Sequence, residues 1–270
     1  MLNKKYELGK QMFLEGKSIT TISKELGISA AWFGRYLREQ GIDTRHNATK
    51  INFNRKFFKT IDSEEKAYWL GFIAADGCIN EQYKNNRLKA MTMELTVNEQ
   101  DKEHLQKFCT AIGLDEKQIK KKNVILNGVV FPAYKVTLCS TDMCRDLIKL
   151  GVTPRKSFSI HMPPIVLNSP YLRHYVRGFF DGNGHISEDS RRITFSSGSA
   201  KMLVQLNSLF YSLGCEDVKI TTDFPRSRGL ELRYHGNQGF DIIIDYMYKD
   251  ATIYLTRKYN QYIAHLHSNV

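Results

Sequence analysis

Three things are scarce or missing in this sequence. The five cysteines (Cys78, Cys109, Cys139, Cys144 and Cys215) form an odd set, with no CxxC pair and no histidine at zinc-site spacing nearby. This excludes a disulfide framework or a cysteine-rich zinc module, and implies reduced, mostly structural thiols in a cytosolic protein. No apolar stretch approaches the roughly 18 residues of a membrane span, and the basic start lacks the apolar run and small-residue cleavage site of a secretory signal. Acids are in deficit: 28 Asp and Glu stand against 39 Lys and Arg, giving a formal net charge of +11. Clustered cations displace the counterions condensed on nucleic acid, so a polyanionic partner is expected, a merely basic surface being the alternative. What the chain does have is 42% apolar residues over 270 positions, enough to bury a proper core in one large domain or two ordinary ones.

From Asn3 to about Gln40 the pattern is helical, in three segments separated at Gly16 and Gly27. Leu8, Met12 and Phe13 share a face of the first segment. Ser18 caps a second that carries Ile19, Ile22 and Leu26, and Gly27-Ile28-Ser29 turns into a third that carries Phe33, Tyr36 and Leu37. Residues 1–42 are therefore expected to form a small helical domain. Residues 43–60, with Arg45, Lys50, Arg55, Lys56 and Lys59 and no steady period, are expected to be a basic linker lying along the partner.

Residues 61–270 contain an internal repeat. Ser63-Glu-Glu-Lys-Ala-Tyr-Trp-Leu-Gly-Phe-Ile-Ala-Ala-Asp-Gly aligns with Ser169-Pro-Tyr-Leu-Arg-His-Tyr-Val-Arg-Gly-Phe-Phe-Asp-Gly-Asn-Gly. Each segment opens on a helix cap, Ser63 or Ser169, and ends in a glycine-containing turn. Strands follow at Lys89 to Val97 and Arg192 to Ser197, and helices at Glu99 to Ile112 and Ala200 to Leu213. Two further strands follow in each copy, Val124 to Val130 with Tyr134 to Ser140, and Val218 to Thr222 with Leu230 to His235. The stretch ending at Lys156 aligns with that ending at Lys258, so the repeats span 61–160 and 161–270 about a pseudo-two-fold axis.

Trp69-Leu70-Gly71-Phe72-Ile73-Ala74-Ala75-Asp76-Gly77 resembles the LAGLIDADG motif, and Val176-Arg177-Gly178-Phe179-Phe180-Asp181-Gly182-Asn183-Gly184 resembles its second copy. Two copies about a hundred residues apart in matching surroundings are a specific signal covering nearly all of 61–270. The resemblance implies an α+β fold of two tandem αββαββα repeats. It also implies a monomeric, site-specific DNA endonuclease acting on an asymmetric duplex, the product of an intron or intergenic gene that homes. In such a fold two apolar helices need small residues where they touch, which Gly71, Ala74, Ala75, Gly178 and Gly182 supply. Their ends then place acids beside the scissile phosphates to bind Mg²⁺, or Mn²⁺ or Ca²⁺ in its place. Those positions are Asp76 and Asn183. Asn183 departs from the family pattern: a neutral amide offsets metal charge poorly, so one half-site is expected to be impaired, leaving a nickase or an inactive form. Asp181 is expected to point away.

The family also places a basic residue of each repeat near the phosphates, and Lys156 and Lys258 sit at matching depths, with Arg155 and Arg257 as fallbacks. Strand alternation puts Lys89, Arg192, Thr194 and Ser196 on a face suited to the major groove, with Lys120, Lys135, Arg226, Arg228 and Arg233 nearby; each is equally an ordinary solvated side chain. Residues 18–38 resemble a helix-turn-helix, in which Ser29 caps the recognition helix and Trp32, Arg35 and Arg38 face DNA, although such a unit can also bind protein. The alternative to a nuclease is a non-catalytic regulator with the same fold, supported by Asn183. An intein is disfavoured by the Met1-Leu2 start and Ser268-Asn269-Val270 end. Double-stranded DNA is the expected partner, without membrane or obligatory protein, in a cytoplasmic, nucleoid-associated setting.

Overall fold

The computed structural model describes residues 2–42, 44, 51–126, 128–187, 191–222 and 229–268. The chain divides into two compact units, Met1–Asn52 and Phe53–Val270. No helix among the described residues is long and apolar enough to cross a membrane.

The first unit holds α1 (Leu2–Leu14), α2 (Ile19–Leu26) and α3 (Ala30–Glu39) around a core of Phe13, Ile22, Phe33 and Leu37. Ser18 starts α2 by accepting a bond from the Thr21 amide at 3.0 Å, and Gly27 ends it at φ +62°, a conformation glycine adopts without strain. Two local expectations fail. Leu8 is exposed, because Gly9 takes the place against Phe33 and Ile22. Ser29 occupies the cap position of α3 but makes no side-chain capping bond.

The second unit begins inside the expected linker. Phe53, Phe57 and Phe58 are buried and the Asn54 amide donates to the Ile112 carbonyl at 2.7 Å, so residues 53–60 belong to the body, leaving only Arg55, Lys56 and Lys59 exposed among their basic residues. Arg45 and Lys50 lie outside the described residues. The reason is apolar burial: three phenylalanines outweigh the basic residues around them.

The body then runs α4 (Glu64–Asp76), β1 (Gly77–Lys84), β2 (Arg87–Asn98), α5 (Lys102–Ile112), β3 (Lys120–Leu126), β4 (Val129–Cys139), α6 (Thr141–Lys149) and a short α7 (Pro164–Leu167). The second copy is α8 (Leu172–Asn183), β5 (Gly184–Ser187), β6 (Arg192–Ser197), α9 (Ala200–Ser212), β7 (Thr221–Thr222), β8 (Leu230–His235) and α10 (Ile242–Tyr248), closed by α11 (Thr256–Ser268). Each copy builds an antiparallel four-stranded sheet, in orders β1-β2-β4-β3 and β5-β6-β8-β7. The fold is α+β, with two αββαββα repeats.

α4 and α8 are the spine. From Ala67 to Ala74 every residue of α4 is buried, as a helix covered on all sides requires. A Cβ on Gly71 would fall 2.0 Å from the Tyr175 carbonyl oxygen, and one on Gly178 would fall 2.0 Å from that of Tyr68. The reciprocal contact brings the two backbones together about the pseudo-two-fold axis.

Neither spine helix ends in the expected turn. Gly77 and Gly184 have extended backbones and open β1 and β5 directly, and a Cβ on either would strike Ile73 or Phe180 of its own helix. Other boundaries move as well. β3 and β4 meet at Gly128 (φ +80°), so Val129 and Val130 start the second strand rather than end the first. Among the described residues β7 is reduced to Thr221–Thr222. Ser169 bonds the Tyr171 amide, and α8 starts only at Leu172. One face of each sheet is core: Met93, Leu95, Val136 and Leu138 in the first, packed against α5 and α6, and Ile193, Phe195, Leu232 and Tyr234 in the second, packed against α9. The other face is polar. All five cysteines are free thiols.

Candidate active site

Asp76 and Asn183 are the last residues of α4 and α8. The two helix ends adjoin: a Cβ on Gly182 would lie 2.4 Å from the Ala75 Cβ and 3.2 Å from a carboxylate oxygen of Asp76. Asp76 is exposed at its tip, and among the described residues nothing hydrogen-bonds or ion-pairs with its carboxylate. Protein crowding on its other sides strips hydration and lifts its pKa to about 6, against the pull of Lys258 and Lys156. An unpaired acid with a raised pKa at a junction of helix ends is a candidate functional group.

The two lysines sit where the sequence alignment put them, one at each helix end, but they differ. Arg155, in the left-handed region at φ +57°, turns the chain into the short helical turn that starts at Lys156. The Lys156 ammonium donates to the Ala75 carbonyl at 3.1 Å. Lys258 is 1% exposed and donates to three carbonyls, of Phe180 at 2.5 Å, Asp181 at 2.9 Å and Gly184 at 2.6 Å. Both lysines answer the orphan carbonyls and negative pole of a helix C-terminus. An ammonium has three protons, so Lys258 is saturated within the protein while Lys156 keeps two donors. The pair expected to be symmetric is therefore not so: both are buried, but Lys156, at 8% exposed, has one protein acceptor and donors to spare, whereas Lys258 is fully engaged. Burial lowers the pKa of both, that of Lys258 to about 8. Of the fallbacks, Arg155 is exposed and Arg257 is paired with Asp101 at 3.1 Å.

Asp181 faces away from the helix junction. It accepts from the Tyr68 hydroxyl at 2.6 Å, the Tyr248 hydroxyl at 2.5 Å and the Leu255 amide at 2.7 Å, which leaves it no role as a metal ligand. One turn earlier, the fully buried Arg177 donates to the carbonyls of Ile253 and Met247, each at 2.8 Å, and to Glu64 at 2.7 Å. The first repeat has Leu70 and Ala74 at these two positions. The sequence reading missed this network, although an Arg and an Asp four residues apart in an otherwise apolar helix, breaking the internal symmetry, were its visible signal.

The expected DNA-facing residues divide. Lys120 is exposed and donates to the Lys117 carbonyl at 2.7 Å. Lys89 is the extra residue of a bulge, since Gln82 pairs with Ala90 and Tyr83 with Leu88, so simple alternation does not place it. Thr194 lies on the polar face but is buried between His185 and Arg233, its partners on either side, which corrects its reading as an open contact. Arg192 and Ser196 are half-buried on that same face, and Arg233 pairs with Glu231. Lys135 is bonded to Glu94 at 2.8 Å, and so is Lys122 at 2.7 Å. Glu94 and Glu231 were missed, because a search for cations passes over the acids that hold them, and Lys122, two residues from Lys120 on the same strand, was missed with them. In the first unit Ser29, Trp32, Arg35 and Arg38 are exposed, with Arg35 over the Trp32 ring at 5.7 Å and paired with Glu39 at 3.1 Å. Arg45, Arg226 and Arg228 lie outside the described residues.

Magnesium favours one or two carboxylates completed by waters and substrate phosphates. The free Asp76 carboxylate, at the helix end that adjoins the end of α8, fits that donor set. Among the described residues no group of three or more His, Cys, Asp or Glu is placed to hold a metal, so an ion here would take its remaining ligands from water and substrate.

A family model described as a LAGLIDADG-like domain matches residues 170–235. The chain is similar in fold to I-DmoI, solved in complex with DNA and Ca, with a TM-score of 0.50 and 16% identity over 79% of this chain and 99% of that one. It also resembles the meganuclease I-SmaMI bound to uncleavable DNA, with a TM-score of 0.46 and 19% identity over 75% of this chain and 90% of that one. A curated relative, a probable translation initiation factor IF-2 of Thermococcus kodakarensis, is 30% identical over 95 residues, 34% of this chain. That match spans only 8% of the relative's length. The match to a LAGLIDADG-like domain covers residues 170–235, and the body, with its paired spine helices and αββαββα repeats, has the fold of I-DmoI.

Proposed function

We propose that the chain is a site-specific, Mg²⁺-dependent DNA endonuclease of the homing type that cuts one strand of an asymmetric duplex. The observation that carries this reading is the unpaired Asp76 carboxylate at the junction of α4 and α8, beside Lys156 with two donors available. Asp76 would hold the ion, with the neutral oxygen of Asn183 as a weaker second ligand. A bound ion would supply charge neutralisation and an activated water at the phosphate. Ionised Asp76 keeps that position negative, and Lys156 binds a non-bridging phosphate oxygen. Lys258 holds the end of α8 so that Asn183 and Gly184 keep their place. Mn²⁺ and Ca²⁺ suit the same oxygen donors.

The three-helix unit reads as a helix-turn-helix that extends the footprint, with Trp32, Arg35 and Arg38 of α3 toward DNA. The protein acts as a monomer with no obligatory protein partner, in a cytoplasmic, nucleoid-associated setting, as the product of a mobile intron or intergenic gene. A second reading, a DNA-binding regulator without catalysis, is favoured by Asn183 together with the saturated Lys258.

One assay separates them. Supercoiled plasmid carrying a duplex selected by binding is incubated with Mg²⁺ and the wild type, Asn183→Asp or Asp76→Asn. The expected outcome is a nick by the wild type, linear product with Asn183→Asp, and no cutting by Asp76→Asn. If neither of the first two cuts while both bind, the nuclease reading is wrong.

A further inference from the structure

The two repeats leave α5 and α9 differently covered. Each of these helices ends on a left-handed glycine, Gly113 (φ +68°) or Gly214 (φ +97°), and the next amide returns to the carbonyl of Cys109 at 2.8 Å or of Phe210 at 3.0 Å. His104 and Gln205 stand at the same distance before these glycines and are therefore counterparts. In the second repeat a non-helical stretch, residues 160–163, lies over α9. The Gln205 side-chain oxygen accepts from the Met162 amide at 2.8 Å, and its nitrogen donates to the Met162 carbonyl at 3.3 Å. Met162 is fully buried there. The chain after Lys258, the counterpart of Lys156, instead runs on as α11, where His265 meets the Phe240 ring at 4.8 Å and Asp241 at 2.9 Å. Among the described residues no such stretch lies over α5, and a cavity of about 200 Å³ is left beside His104.

His104 lines that cavity and is 2% exposed, and its Nδ1 has no hydrogen-bond partner among the described residues. The polarity of this atom is fixed by its neighbours. The Tyr68 hydroxyl donates to Asp181 at 2.6 Å, so its oxygen accepts from His104 Nε2 at 2.9 Å. Burial lowers the pKa of the ring to about 3 and keeps it neutral, so Nδ1 is an acceptor that lacks an N–H. At the counterpart position the acceptor is the Gln205 oxygen, and a backbone amide supplies its N–H. Past Glu103 the cavity adjoins a larger one of about 740 Å³, walled by Glu65, Lys107, Glu116 and Tyr254. Lys107 is already engaged by Glu103 at 3.2 Å and by the Thr256 hydroxyl at 2.9 Å. The rim is thus net acidic on a chain of charge +11, which repels nucleic acid and attracts a basic ligand.

We propose that the groove between α5 and residues 252–260 docks a non-helical, basic segment of another protein. One backbone N–H and the apolar side chain beside it enter the cavity at His104, and lysines or arginines lie along Glu65, Glu103 and Glu116. The segment takes the place over α5 that residues 160–163 hold over α9, with positive charge added. Backbone hydrogen bonds give such a groove its affinity, and the pocket and the acids give it specificity. The proposal holds whether or not the chain cuts DNA.

The test is selection of a phage-displayed library of random short peptides on the full chain, followed by fluorescence anisotropy with the most enriched peptide in synthetic form. Enriched peptides are expected to combine Lys or Arg residues with one apolar anchor. Their binding to the double variant Glu103→Lys with Glu116→Lys should be weaker by at least about tenfold. Asn260→Trp, which fills the cavity at His104 without altering charge, should weaken the same peptide by a similar factor. N-methylation of the peptide, one amide at a time, should find one position beside the anchor where loss of the N–H costs about tenfold. All three substituted residues are exposed, so both variants should melt with the wild type, and should one melt early the other carries the comparison. Peptides that bind both variants as tightly as wild type, or that tolerate N-methylation throughout, overturn the proposal. A selection that enriches no peptide overturns it as well.

Discussion

A carboxylate at the C-terminal end of a helix meets the negative pole of the macrodipole, and Asp76 has in addition lost much of its hydration. Its folded-state pKa of about 6 lies above the usual 3.8, so the metal-free protein holds that proton more tightly than the unfolded chain does. The stability this contributes is complete below the ordinary carboxylate pKa and is lost as pH rises through about 6. Removing the charge should therefore stabilise the protein only at higher pH. Thermal melts in EDTA should place Asp76→Asn a few degrees above wild type at pH 8, on the order of 1 kcal/mol after allowing for solvent at the exposed tip, and level with it at pH 4. A gain at both pH values would show that the ionised group carries no such cost. The two lysines should separate in a parallel way. Lys258→Met deprives three carbonyls of a donor and should cost about 3 kcal/mol in urea unfolding, whereas Lys156→Met, with one bond lost, should cost about 1 kcal/mol yet abolish nicking. Equal destabilisation by the two would remove the distinction between an available and a structural lysine.

Among the elements, the α4 and α8 spine leaves least room for change. Gly71→Ala and Gly178→Ala each drive a methyl into a backbone carbonyl of the facing helix at 2.0 Å, where nothing flexible can yield. Either substitution should lower stability by at least about 3 kcal/mol in denaturant titration, at the top of the overpacking range. An exposed control such as Gly41 lies in open space but at φ +72°, so its alanine variant should show only the smaller strain of the left-handed region. The spine was legible in the sequence because small residues at helical spacing recur in two aligned segments, and β6 and β8 were legible because apolar residues alternate there. The starts of β1 and β5 were not, since a glycine after a helix reads as a turn, whereas here it is needed to clear Ile73 and Phe180 with an extended backbone. The burial of Phe53, Phe57 and Phe58 was hidden by the basic residues between them. At the site, the positions of Asp76 and Asn183 came from the motif. The saturation of Lys258 and the Arg177–Asp181 network depend on partners 67 to 113 residues away along the chain, which no local pattern encodes.

For the whole molecule, the excess of 11 positive charges is divided among helix caps, internal ion pairs and open surface, and only the last can take up phosphate. Lys258 is committed to backbone, Arg177 to Glu64 and carbonyls, and Lys122 and Lys135 to Glu94. Net charge therefore overstates the number of phosphate contacts. In the first unit Arg38 carries no ion pair among the described residues, and Arg35 has only an exposed partner, Glu39, with both side chains more than 60% exposed. Such a surface pair contributes little and is given up at small cost when a phosphate competes. Each phosphate neutralised steepens the fall of log K with log salt by about 0.9, so Arg35→Ala with Arg38→Ala should flatten the slope by roughly 2 if both reach the backbone of DNA. The loss of affinity should be uniform across duplex sequences, because phosphate contacts position a protein without specifying bases. Titrating wild type and double variant against the selected duplex and against an unrelated one, from low to moderate salt, reads both effects together. An unchanged slope would assign α3 to a protein partner instead. A slope change confined to the selected duplex would mean that these arginines read base edges rather than phosphate.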